Sequence, residues 1–167
     1  MHIPSRAEVD LYCGSPTTRW QRALGIAAPA LLLATVVFVL IRFRSLPEQV
    51  PTHYNFAGEV DGYSGRLTLL LMPLFGLLTD AVIALTGRFP KSWNTGVRLT
   101  AINRVRVYRL VRDLMAELRL GMAILFGGFA VYQALAPKHF SGLVFPLLMV
   151  PLLLPLIRYF VRLPKAR

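Results

Sequence analysis

The sequence predicts an all-α integral membrane protein: four transmembrane helices, a compact extracytoplasmic loop between the first two, and a basic amphipathic helix leading into the third. Three observations predict it. Of 167 residues, 55% are hydrophobic and only 16% charged, well below the roughly 25% charged of soluble domains. Four apolar segments approach the roughly 20 residues a helix needs to cross a bilayer. Basic residues, which give the chain a formal charge of +11, gather on alternate flanks of those segments, as cytoplasmic loops do. The mean hydropathy of +0.54 excludes a disordered chain, and a lone cysteine, Cys13, excludes a disulfide scaffold.

Taken in order, residues 1–22 read as a polar cytoplasmic segment, and 23–162 as one four-helix membrane domain. The first helix, 23–41, carries no charge, and its one irritant, Pro29, lies near the start, where a missing N–H is easily replaced. It follows a polar stretch, and no A-x-A site precedes Arg42, so it reads as a transmembrane helix and not a signal peptide. Asp10-Leu-Tyr-Cys13 lacks the hydrophobic region that must precede a lipoprotein box, so Cys13 reads as an ordinary thiol. Helices follow at 67–86, 120–136 and 142–161, the last reaching full length only with Arg158 snorkelling toward headgroups. Residues 163–167 form a cytoplasmic tail.

Orientation follows from the basic residues. Arg6, Arg19 and Arg22 precede the first helix, eight basic residues from Arg88 to Arg119 separate the second from the third, and Arg158, Arg162, Lys165 and Arg167 end the chain. Only Arg42, Arg44, Arg66 and Lys138 lie on the other side. Both termini and the middle loop are therefore expected in the cytoplasm of a bacterium, with the protein in its cytoplasmic (inner) membrane.

The middle loop is patterned. At helical spacing over 100–119, Val107, Leu110, Val111, Leu114, Met115 and Leu118 share one arc; Arg106, Arg109, Arg112, Asp113, Glu117 and Arg119 share the other. Thr100 or Asn103 is placed to cap this helix, and with no proline before Pro137 it is free to run unbroken into the third membrane helix. Its arginines, Arg104, Arg106, Arg109 and Arg112, are expected to meet anionic lipid headgroups; nucleic acid is not an expected partner.

The loop 42–66 forms an outer cap whose residues lipid does not dictate. Pro47 and Pro51 forbid a helix, so 50–56 is expected to be extended, with His53 and Asn55 on one face and Tyr54 and Phe56 on the other. Asp61-Gly62 supplies the expected turn, and Gly58, Gly62 and Gly65 are free to take positive φ, giving a hairpin-like cap on the bundle.

Leu46, Pro47, Pro51, His53, Asn55, Gly58, Glu59, Asp61, Gly62 and Leu67, with Arg66 in place of a usual lysine, resemble the motif of the membrane family called domain of unknown function 1648. A second patch, Asn94, Thr100, Asn103, Arg106, Tyr108 and Leu110, is similar to another segment of that family, so the resemblance covers roughly residues 46–135. The resemblance implies a topology and a context. Larger members carry more membrane helices and include the immunity and signalling protein against a secreted sporulation-delaying toxin, which also sequesters a repressor at the membrane.

Candidate chemistry is sparse. His53 with Asp61, Glu48 and Glu59 offers either a metal or acid–base site or a hydrogen-bond network that anchors the loop; without HExxH or a nucleophile elbow, the network is the expectation. No catalytic residue, metal or cofactor is expected. Pro51, His53, Asn55, Gly58, Asp61, Gly62 and Arg66 form the expected recognition loop, with His53, Asn55 and Asp61 pointing inward and His139 within reach of His53 if the third and fourth helices pack beside the cap. Asp80, inside the second membrane segment, reads either as a proton carrier or as a structural group bonded to Thr79, Thr35, Gln133 or Arg88. Pro73, Pro146, Pro151 and Pro155 predict kinks, and Gly127-Gly128 with Ala123 predicts close helix approach, within the chain or at a seam between copies. The expected function is that of an accessory or immunity/signalling-type membrane protein acting through protein or lipid contacts, its partner a membrane protein or a second copy. The alternatives are a small proton-coupled transporter using Asp80 and a membrane metal-dependent enzyme.

Overall fold

Two capping boxes decide where the chain first turns helical. In the computed structural model, which describes residues 2–55, 57–135 and 141–166, Ser5 Oγ accepts from Glu8 N while the Glu8 carboxylate accepts from Ser5 N at 2.6 Å. The short helix α1, Arg6–Cys13, follows and stops at Gly14, whose φ of 69° is the left-handed cap conformation. Those Ser5 hydrogen bonds, with His2 beside them, hold the Glu8 carboxyl down at about 2. Thr18 and Gln21 form the second box, so α2, Arg19–Arg42, begins ahead of the apolar run and continues through Pro29.

Beyond α2 a 3-10 turn leads into two antiparallel strands, β1 (Gln49–Tyr54) and β2 (Val60–Gly65). The cap is thus a two-stranded antiparallel sheet, the hairpin that Pro47 and Pro51 led one to expect within an otherwise helical chain. A second 3-10 turn, Arg66–Leu70, opens α3, Leu71–Thr86. Helix α4, Arg104–Ala134, runs unbroken for 31 residues, about 46 Å at 1.5 Å per residue. Helix α5 spans Val144–Arg162. Among the described residues, four helices are long and apolar enough to cross a membrane, the architecture of a multi-pass membrane protein.

Large apolar side chains point outward along these helices, Ile26, Val37, Leu78, Leu147 and Phe160 among them. Small residues line the helix contacts instead, as bundles in lipid require. A Cβ on Gly127 would fall 2.9 Å from Thr35 Oγ1, one on Gly128 2.4 Å from Leu148 Cδ2, and one on Gly121 2.6 Å from the Pro151 carbonyl. Close approach is therefore used within the chain. Pro73 is buried near the start of α3, and α5 continues through Pro151 and Pro155.

The two ends of the bundle carry separate cores. At the hairpin end, Val39, Leu46, Val50, Leu69 and Ala134 pack together. At the other, here the basic end, α1, the α3–α4 connection, the start of α4 and the C-terminal residues share one cluster built on Cys13, Trp93, Val107, Tyr108, Tyr159 and Leu163. That cluster shows what the apolar arc of the amphipathic helix packs on. Val107 and Val111 are buried in it, and Leu110, Leu114 and Met115 pack on it, so the apolar arc faces protein and not a lipid surface.

Candidate functional site

The hairpin reverses at Asn55, not at Asp61-Gly62. Asn55 Oδ1 accepts from the backbone N–H groups of Ala57 (2.9 Å) and Glu59 (3.0 Å), and Asn55 Nδ2 donates to the Glu59 carboxylate at 3.1 Å. Asn55 N also donates to Glu59 O, and Gly58 N to Asn55 O. A side chain that imitates a backbone turn, followed by Gly58 at φ 80°, meets the whole steric requirement. Asp61 and Gly62 are left inside β2. Gly62 pairs with His53 across the sheet at a register shift, where a Cβ would sit 2.8 Å from His53 Cβ.

His53 Nδ1 and Asp61 Oδ1 lie 2.5 Å apart, with the side chains 74% and 41% exposed. With Asn55 also exposed, the three predicted residues face solvent, not the bundle. Strand burial explains this correction: Val50 and Pro51 take the buried places of β1, and the shifted register turns His53 outward. The predicted recognition residues therefore divide. His53, Asn55 and Asp61, joined by Glu59, are presented; Pro51, Gly58 and Gly62 shape the platform. Arg66 closes its base, donating from Nη1 to the carbonyls of Phe43 (3.2 Å) and Leu46 (3.4 Å) with its guanidinium 4.6 Å over the Phe43 ring.

Beneath the tip lies an open cleft of about 520 Å³. Tyr54, Asn55, Ala57 and Gly58 form one wall; Phe129, Gly142 and Phe145 form the other. The two phenylalanine rings pack tilted at 49° with 6.2 Å between centroids, and burial pushes the Tyr54 phenol above its usual value. Phe56 and His139 lie outside the described residues, and with them the expected approach of His139 to His53.

Asp80 is only 5% exposed, and its partner is none of those expected. Arg119 donates from Nε to Oδ1 at 2.7 Å and from Nη2 to Oδ2 at 2.9 Å, and Nη2 also reaches the Gly25 carbonyl at 3.0 Å. This fork ties α2, α3 and α4 together. Thr35 and Thr79 instead bond back to the carbonyls of their own helices, and Arg88 donates to Pro4 O. An acid within an apolar segment requires a counter-charge. The signal for Arg119 was its place on α4 at the border of the apolar run.

Arg112 likewise leaves the headgroup set. Its side chain is 9% exposed and bonded to the Asp10 carboxylate at 2.5 Å, to Ser15 O at 2.9 Å and to Thr17 Oγ1. Burial raises the Asp10 carboxyl, but hydrogen bonds from Thr17 and Arg112 outweigh it and leave the group below its ordinary value. Arg104 bonds Tyr12 O and stacks on the Tyr12 ring, and Arg106 donates to Lys165 O, while Arg109 is exposed. Among the described residues, no three His, Cys, Asp or Glu side chains are placed to hold one metal ion.

Residues 30–77 match the family described as a domain of unknown function (DUF1648). That match covers the second half of α2, the hairpin and the start of α3; the second patch near Asn94 lies outside it. An uncharacterized protein of Archaeoglobus fulgidus is 34% identical over 93 residues, 54% of this chain. The aligned stretch spans 45% of that relative's length. No solved structure matches the chain.

Proposed function

We propose that this chain, with its domain of unknown function 1648, is a protein of the bacterial cytoplasmic membrane that acts by binding a partner and not by catalysis. In this reading both termini are cytoplasmic and the hairpin is the extracytoplasmic recognition surface of an accessory or immunity/signalling-type protein. The observation that carries it is the hairpin's preparation. An isolated two-stranded hairpin is marginal in water, yet this one has a buried Val50, a clamp at Arg66 and an Asn55-built turn, while His53, Asp61 and Glu59 remain outward. Polar groups held rigid before contact reduce the ordering cost of binding. In this reading the partner is a membrane protein or a second copy of the chain, met through the exposed His53–Asp61 pair and Glu59.

Purification in mild detergent with mass identification of retained proteins tests this. A partner should stay with the wild type and be lost from His53→Ala/Asp61→Asn while the hairpin keeps its protease resistance. If His53→Ala, Asn55→Ala and Asp61→Asn all retain the same partner, the recognition reading fails. The transporter alternative meets a specific obstacle, because both Asp80 oxygens are bonded to Arg119. Asp80-dependent proton flux in proteoliposomes would favour it instead.

A further inference from the structure

We propose that the arginine-lined cleft at the basic end binds a phosphate-bearing anion, the headgroup of an acidic phospholipid. The cleft, of about 380 Å³, opens between α1, α2, α3 and α4. Arg6, Arg22, Arg88, Arg112 and Arg119 line it, and among the described residues of its lining there is no Asp or Glu. Asp10 and Asp80, set behind the wall, pair with Arg112 and Arg119. Arg6, Arg22 and Arg88 have no carboxylate partner among the described residues. Arg22 spends one N–H on Thr17 O and Arg88 one on Pro4 O, both at 3.1 Å. A guanidinium has five N–H donors in a fork that matches two phosphate oxygens, so both side chains keep donors for a ligand.

The rest of the lining is largely apolar, with Ile26, Ile83 and Met115 among the arginines. Ile26 is 70% exposed on the flank of α2, where an acyl chain can leave the cleft along the helix. A cleft that mixes arginines with Ile26, Ile83 and Met115 suits a phospholipid better than a free phosphate, although the arginines recognise the same group in both. This site differs from the outward arginines of α4 and stands independently of the hairpin reading.

The full-length protein in mild detergent is titrated with phosphatidylglycerol, phosphatidylcholine and inorganic phosphate, with bound lipid counted by native mass spectrometry and melting temperature followed in parallel. Phosphatidylglycerol should be retained and raise the melting temperature; phosphatidylcholine should not. Arg22→Gln/Arg88→Gln should weaken phosphatidylglycerol by about tenfold or more, since two charge-assisted contacts are lost. Arg6→Gln, which breaks no side-chain hydrogen bond among the described residues, should weaken it in the same direction without altering the unliganded melting temperature. A shift with inorganic phosphate that the double variant abolishes, without lipid retention, would keep the anion site and make free phosphate its occupant. If Arg106→Gln/Arg109→Gln on the outer face weakens lipid binding as much as the cleft variant does, or no probe distinguishes the cleft variants from wild type, the proposal is overturned.

Discussion

Breaking the Asp80–Arg119 fork should cost more than any other single polar change among the membrane helices. Asp80→Ala leaves a guanidinium, 18% exposed, at the wall of the arginine-lined cleft with only the Gly25 carbonyl to bond. Removing one partner of a buried pair costs roughly 3–5 kcal/mol. The partial exposure of Arg119 argues for the lower end, about 3 kcal/mol, because water can reach one edge of the stranded charge. Arg119→Met strands the Asp80 carboxylate in turn and should cost a similar amount. The double variant leaves no charge behind, so its loss should fall short of the sum of the singles by about 2 kcal/mol or more, the coupling of two groups in direct contact. Unfolding in mixed micelles, followed by circular dichroism, measures all four corners of this cycle. Additive losses, or singles indistinguishable from wild type, would refute the claim that this pair ties α2, α3 and α4 together.

Two further outcomes follow from the same geometry. Asp10 sits below its ordinary 3.8, so its contribution to docking α1 is complete above 3.8 and is lost as pH falls through the lower folded value; amide exchange in α1 should quicken only in that acid range, whereas in Asp10→Asn it should be fast already at neutral pH. Gly58→Ala forces a side chain into φ 80° at a cost of about 1–2 kcal/mol, and should raise the proteolysis rate of the hairpin while leaving the helices intact.

The membrane helices were legible because length and apolarity act locally, and Pro47 and Pro51 made the extended entry of the cap equally plain. The turn was misplaced because Asp61-Gly62 is a strong two-residue signal, whereas Asn55 works through bonds to Ala57 and Glu59 that no dipeptide preference records. Helix α1 escaped notice because eight residues are too few to show a period, and its docking rests on contacts of Val9 and Cys13 with distant residues. Pairs such as Asp10 with Arg112 join positions far apart in the chain, and periodicity contains nothing about them. The apolar arc of α4 was correctly located, but amphipathicity alone does not distinguish a lipid surface from a protein core. Arg112, read as a headgroup contact, therefore proved to be an internal strut.

The account depends most on the hairpin and the arginine-rich end facing opposite sides of the membrane, with the hairpin outside. Labelling of intact cells with an impermeant thiol reagent tests this directly, using Tyr63→Cys on exposed β2 and Ser92→Cys in the α3–α4 connection, while the wholly buried Cys13 stays silent. The account predicts labelling at 63 in intact cells and at 92 only after permeabilisation; labelling at 92 and protection at 63 would contradict it.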